Sequence, residues 1–331
     1  MKLIVRTLLL LFCWGMFSGW GFLVHRTIHQ LAIYRLPSPL QAFFFHHKED
    51  LVRHSVRPDQ RRFKDNQEAP RHFIDLEAYG EGAANSMPKS WEAAIGQYGR
   101  DSLLRWGYVP YQVMHTQADL VRAFRNQDAD SIIFFAADLG HYISDAHVPL
   151  HTTLNYDGQL TNQKGLHALW ETVVPELLLT GFRLQEPGVA RYLKDPEQAI
   201  WEAVRSGNRL LNEVFNTELE LTRSFREETK YRTQNRKGKE VKLYSTAFAR
   251  AYGEQVQPAV NEQMLRSVRL VADFWYTAWV DAGKPELESL LPPTDRDKEA
   301  KQNQQELKAY RNNQLISNKW LIATQKKEDE D

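Results

Sequence analysis

Cysteine is nearly missing from this chain. The single one, Cys13, sits in an apolar run near the N-terminus, so an intramolecular disulfide framework is excluded and thiolate metal sites with it. Net charge is missing too. Lys plus Arg and Asp plus Glu number 42 each, so bulk electrostatics selects no polyanionic partner, and any site for one must be local. Beyond the N-terminal segment there is no second strongly apolar run of about 20 residues, the length a membrane span requires. Alternating strand patterns are also nearly absent, with only Glu240 to Leu243 readable as extended, and there is no internal repeat. Helical periodicity remains, and it predicts an all-α fold. The 331 residues suffice for one large core or two small ones.

The first 19 residues read as a signal peptide. Lys2 and Arg6 give a basic start, and Leu8 to Phe17 is apolar but short for a span. Gly19 suits the position before a cut, whereas Phe17, two residues earlier, fits poorly. The expectation is an exported protein, periplasmic or secreted. An uncleaved anchor and lipidation at Cys13 are the alternatives. A helical period follows until Pro37 and Pro39 stop it. Residues 50 to 75 are polar and loop-rich. Helical patterns cover 89 to 99 and 101 to 125, the second interrupted at Gly107 and Pro110. Another helix runs from about Asp130 to Ala146, a surface loop from Asn155 to Gly165, and a further helix from near Leu166. From residue 176 the chain is largely helical, with breaks at Pro187-Gly188, Pro196, Gly207, Lys237-Gly238 and Pro258. Ala259 to Val280 forms a long amphipathic helix. Pro292 and Pro293 close the folded part, so residues 20 to 291 read as one all-helical catalytic domain and 292 to 331 as a polar, flexible tail, disordered or loosely helical.

The chemistry concentrates between Ala137 and Glu171. His141 and Asp145 are four apart, as are His167 and Glu171, so each pair shares one helix face and can grip one ion. His151 lies between the pairs. Ile132 to Ala137 lead straight into the cluster, and charges entering a buried helix must be paired or bound to metal. His25 on the first helix, and Asp59 and His72 on the polar loops, extend the set, as does Trp20. Imidazole and carboxylate without thiolate suit zinc at a catalytic site. Nine candidates are too many for one ion and suit a cluster with bridging carboxylates. Such a cluster can activate water and clamp the oxygens of a phosphate diester. His29 reads as a helix-surface or packing residue, His115 as a core residue, and Arg61 and Arg62 as surface residues.

His141-x3-Asp145-x5-His151 followed by His167-x3-Glu171 resembles the metal-binding core of the bacterial zinc-dependent phospholipases C, a superfamily that includes the fungal and plant single-strand-specific zinc nucleases. Trp20-Gly21-x3-His25, His72-Phe73-Ile74-Asp75 and the run from Asp145 to His151 are similar to motifs of the nuclease branch. The resemblance implies a compact multi-helix fold of that superfamily and three Zn2+ ions. One ion would be held by Asp59, His72, His141 and Asp145, with Asp65 the competitor to Asp59. A second would be held by His151, His167 and Glu171, and a third by His25, Asp145 and the amine and carbonyl of Trp20. Asp145 would bridge two ions and Asp59 would orient or deprotonate the attacking water. Asp75 and His147 are expected to fix ligand tautomers from the second shell. The implied substrates are a phospholipid or a single-stranded nucleic acid or nucleotide, with no obligate protein partner. The short interval from His151 to His167 and Glu171 in place of Asp favour the phospholipase C side. The alternatives are an exported nuclease or nucleotidase, and a non-catalytic, metal-stabilised envelope binding protein.

Overall fold

The computed structural model describes residues 21–236, 239–292 and 296–325, so residues 1–19, read from sequence as a signal peptide, and Trp20 lie outside the described residues. The first four helices are α1 (Phe22–Ile33), α2 (Ser38–His46), α3 (Lys48–His54) and α4 (Arg57–Arg61). After two 3-10 turns come α5 (Ala83–Ser86), α6 (Trp91–Tyr98), α7 (Arg100–Trp106), α8 (Val109–Arg125) and α9 (Ala129–Asp145). Next are α10 (Leu166–Ala168), α11 (Val174–Leu178), α12 (Pro196–Arg209), α13 (Leu211–Thr222) and α14 (Glu227–Lys230). An antiparallel hairpin, β1 (Tyr231–Arg236) with β2 (Lys239–Tyr244), pairs Tyr231 with Tyr244. It extends the segment read as extended from sequence. The chain closes with α15 (Thr246–Asp281) and α16 (Arg296–Arg311). The fold is thus predominantly helical with one small two-stranded sheet.

Local chemistry sets the helix ends. Asp128 caps α9 by accepting the Ser131 N–H at 3.2 Å, Asp195 caps α12 through Gln198 at 2.8 Å, and Ser245 caps α15 through Phe248 at 3.2 Å. Each satisfies an N–H that the helix itself leaves open. Pro110 and Pro196 occupy first-turn positions, where the missing N–H costs nothing. Pro258 was expected to break a helix, yet α15 runs through it unbroken. Pro258 and Glu254, whose carbonyl it leaves without a donor, both lie on the exposed face, where water can serve that carbonyl.

The centre of the molecule is α9. Every residue from Ala136 to His147 is buried, and the helix packs against α8, α15, α3 and α1. Trp275 of α15 donates its indole N–H to the Ala136 carbonyl at 3.0 Å and stacks on Phe44 of α2 at 4.9 Å. The aromatic residues of α15 are therefore core, as their periodicity predicts. His115, read as a core residue, instead lies on the exposed side of α8, edge-on to Trp91.

The polar segment after Pro292 departs from the expected flexible tail. Tyr310, Leu315 and Leu321 are buried. Glu306 of α16 is buried against Lys48 of α3 at 2.7 Å and accepts the Tyr34 hydroxyl at 2.6 Å. Gln30 of α1 holds residues 320–322 by donating to the Trp320 carbonyl and accepting the Ile322 N–H. Composition hides this docking because a few apolar residues and one buried carboxylate carry it. Glu306→Ala leaves the Lys48 ammonium buried without its counter-ion and is expected to cost roughly 3–5 kcal/mol in urea unfolding. The double substitution Lys48→Met/Glu306→Leu should recover most of that loss, since it removes both charges.

Candidate metal centre

Seven segments bring their side chains to one point beside the C-terminal end of α9. His141 and Asp145 come from its last turns, and His25 from α1. Asp59 comes from α4 and His151 from the 3-10 turn Pro149–Thr152. The loop carrying His72 is clamped to the α7–α8 junction by the backbone bonds Asp75 N–H to Trp106 O (2.8 Å), Tyr108 N–H to Pro70 O (2.9 Å) and Val109 N–H to Phe73 O (3.1 Å). Gly107 makes the clamp possible: its φ is +83°, and a Cβ there would lie 2.3 Å from the Phe73 carbonyl oxygen. His167 lies on α10, and Glu171 on the π-helical turn Leu169–Val173 that follows. Pro175 cannot donate to the Glu171 carbonyl, and the helix widens there, with the Val174 N–H reaching Leu169 O.

Three groups of ligand atoms result, each with all members within 4.8 Å of one another: His25, His141 and Asp145; Asp59, His72 and His141; His151, His167 and Glu171. Asp145 faces two ways. Its Oδ2 lies 2.8 Å from His72 Nδ1 and 3.3 Å from His141 Nε2, and its Oδ1 lies 3.5 Å from His25 Nε2. Glu171 does the same on the other side, with Oε2 2.8 Å from His167 Nε2 and Oε1 3.6 Å from His25 Nε2. Asp59 Oδ1 stands 3.8 Å from His72 Nδ1 and 3.9 Å from His141 Nε2. The first described residue, Gly21, lies over Glu171, where a Cβ would meet Oε1 at 3.3 Å.

Outer contacts orient the rings. His141 donates its Nδ1–H to the Ser55 carbonyl at 2.8 Å, and His151 donates its Nδ1–H to the His72 carbonyl at 2.8 Å. His167 turns Nδ1 to the Tyr156 carbonyl at 3.3 Å. The Nε2 lone pairs of all three therefore point inward. His151 Nε2 and His167 Nε2 face each other at 3.3 Å. Two neutral imidazole lone pairs repel at that distance unless a proton or a cation lies between them. Two nitrogens on one tetrahedral zinc, each at ~2.0–2.1 Å, stand ~3.3 Å apart. The donor set and its spacing therefore fit zinc.

The electrostatics agree. Burial would lower the His141 pKa, but the Asp145 and Asp59 carboxylates reverse this and hold it up to about 9. His151 is likewise lowered by burial, then raised by Asp145 and Glu171 to about 9. Burial would raise the carboxyl pKa of Asp145 and of Glu171. The histidines facing them outweigh it and hold both well below the usual range. The site concentrates ionised carboxylate and demands positive charge in return.

All eight described residues named as ligands from sequence are brought together here. Asp65 is not among them; it accepts the Gln67 N–H at 2.8 Å. The two second-shell expectations need correction. The outer nitrogens of His141, His151 and His167 face backbone carbonyls, and no hydrogen bond joins Asp75 or His147 to a ligand ring among the described residues. His147 bonds its own helix at Ile143 O, 2.8 Å away, and burial lowers its pKa to about 4. It faces an apolar cleft of about 450 Å³, counted to its open mouth, with Ile28, Trp170, Phe182 and Met264. Asp75 is buried beside Glu77, and burial first, then that like charge, raise its pKa to about 7. His29 is wholly buried packing, 2.7 Å from the His25 carbonyl and 2.9 Å from the Ala137 carbonyl. Burial lowers its pKa to about 3, so the ring is neutral and donates to one of the two.

Sequence reasoning missed Glu68. It is fully buried, receives Arg61 and Arg71, and lies 3.4 Å from His72 Nε2. The signal was present, because Glu68-x3-His72 repeats the four-residue spacing of the two pairs that were noticed. Arg61, read as a surface residue, also pairs with the buried Asp138 at 2.7 Å.

No protein-family model matches this chain, and none of the curated proteins compared with it matches either.

Two outcomes follow from this geometry. A Cβ on Gly140 would lie 2.4 Å from His29 Nε2. Gly140→Ala should therefore push α1 off α9, lower stability by about 1–3 kcal/mol in urea titrations, and displace His25 with the helix. Asp75 supplies a pH dependence. Its folded pKa of about 7 exceeds the ordinary aspartate value of 3.8, so its stabilising contribution is complete below pH ~4 and is lost as pH rises through 7. In thermal melts of chelated protein, Asp75→Asn should melt with the wild type at pH 4 and above it at pH 8.

Proposed function

We propose that this chain is an exported zinc-dependent phosphoric ester hydrolase of the phospholipase C type, with its catalytic unit in the helical body. The observation that carries the reading is Asp145, a fully buried carboxylate whose two oxygens face different sets of inward-pointing imidazoles. That arrangement suits a bridge between two ions. Asp59, His72, His141 and Asp145 would hold one zinc, His151, His167 and Glu171 a second, and His25 with Asp145 a third, completed by Trp20.

Bound zinc would supply Lewis acidity, acidifying water and neutralising charge that grows on phosphoryl oxygens. The chain supplies the rest. Side chains of Asp59 and His167 are 27% and 30% exposed, while His25, His72, His141 and Asp145 are at most 3% exposed. The centre thus opens to solvent along the line from Asp59 to His167, and a phosphate ester would approach there. Asp59 is the carboxylate at that mouth. It would orient an incoming water and take its proton, with Arg62 3.6 Å away to stabilise its charge. The buried imidazoles exclude water from the floor.

Substrate choice is assigned to the loop between His151 and His167. Leu160 on that loop is 70% exposed and suits an acyl-chain interface. The nuclease alternative draws on Tyr156, which is half exposed 6.3 Å from the His167 ring, where an unpaired base could stack. No described helix is long and apolar enough to cross a membrane.

The test offers phosphatidylcholine vesicles, single-stranded DNA and a nucleoside monophosphate to zinc-verified protein, with and without chelator. Chelator-sensitive release of phosphocholine supports the phospholipase reading, and turnover of DNA alone selects the alternative. Absence of turnover on all three, or turnover indifferent to chelator, sinks the enzyme assignment. Asp145→Asn should lose more than one zinc equivalent by elemental analysis, whereas His167→Asn should lose about one.

A further inference from the structure

Glu68 belongs to none of the three ligand groups, yet its position bears on one of them. His141, His151 and His167 turn their outer nitrogens to backbone carbonyls. His72 differs: its outer nitrogen Nε2 is buried without a hydrogen-bond partner among the described residues, and Glu68 Oε1 lies 3.4 Å from it. The inner nitrogen of the same ring, Nδ1, lies 2.8 Å from Asp145 and 3.1 Å from His141 Nε2, inside the cluster. Glu68 and His72 occupy one short turn, closed by the backbone bonds Arg71 N–H to Glu68 O and His72 N–H to Ala69 O, so the carboxylate follows the ring it faces.

The carboxylate is itself held firmly. Arg61 donates to both oxygens at 3.2 Å, Arg71 donates at 2.8 Å, and the Tyr142 hydroxyl of α9 makes a short bond to Oε1. Burial would raise the Glu68 pKa, but His72, Arg61 and Tyr142 outweigh it and keep the group ionised. A purely structural ion cluster would be satisfied by the two arginines and the tyrosine alone. It would not need a buried imidazole nitrogen, itself without a hydrogen-bond partner, 3.4 Å from the anion. A carboxylate behind a metal-ligating histidine fixes the tautomer and raises the basicity of the ligating nitrogen.

We propose that Glu68 is a positioning residue that takes the Nε2–H of His72, keeps the lone pair on Nδ1, and thereby sets the affinity of the metal held by Asp59, His72 and His141. The proposal rests on the zinc reading above and names the one ion whose affinity Glu68 controls.

The test titrates wild-type protein and Glu68→Gln with zinc against a chromophoric chelator, folding being checked by circular dichroism. Glu68→Gln keeps the shape and removes the charge. The expected result is one zinc equivalent weakened by roughly 10–100-fold, the others unchanged. Equal affinities in folded Glu68→Gln and wild type overturn the proposal while leaving the zinc reading intact. A wild type that takes up no zinc sinks both. Should Glu68→Gln fail to fold, nitrogen-15 NMR of the zinc-loaded wild type decides. A downfield, slowly exchanging His72 Nε2–H supports the carboxylate contact, and a rapidly exchanging one overturns it.

Discussion

A carboxylate that is 1% exposed near the end of a helix buried on all sides cannot stand alone. Asp145 is that group, and much of the surrounding structure answers it. Three imidazoles stand within 3.5 Å of its two oxygens. The outer edges of the neighbouring rings are tied to carbonyls of Ser55, His72 and Tyr156. Removing water from such an assembly strengthens every charge within it. Protons on the histidines, or cations held among them, meet that demand.

The scaffold achieves this with ordinary devices. α9 is apolar enough to be buried over three turns, which carries His141 and Asp145 inward. Around it the ligands come from short pieces: a 3-10 turn, a clamped loop, a three-residue helix and a π turn. Short pieces can aim side chains at angles that one long helix cannot offer. Specific backbone bonds hold the clamped loop, with Gly107 allowing its close approach. The long helix α15 meanwhile provides the flat wall against which α1, α8 and α9 are stacked.

Much of this was legible in the sequence because its periodicities are local. The i to i+4 pairs at His141/Asp145 and His167/Glu171 announced themselves, and the apolar run before His141 declared its burial. Helix ends at Pro110 and Pro196 were equally readable. What escaped reading depends on contacts distant in sequence. Glu306 finds Lys48 across 258 residues, so the polar segment after Pro292 looked flexible. Pro258 looked like a break because its solvent-facing setting cannot be read from residue type. The tautomer partners of the ligands are mostly main-chain carbonyls, which carry no sequence signature at all, and so Asp75 and His147 were credited with work the backbone performs.

One residue is used twice. The His72 ring points into the group it forms with Asp59 and His141, while its carbonyl receives the Nδ1–H of His151, and the His151 carbonyl in turn receives the Ile74 N–H at 2.9 Å. The loop that orients one ligand set therefore also orients a ring of the next. The sets are not independent modules assembled side by side. They share one peptide, so a shift of the His72 main chain would carry the His151 ring with it.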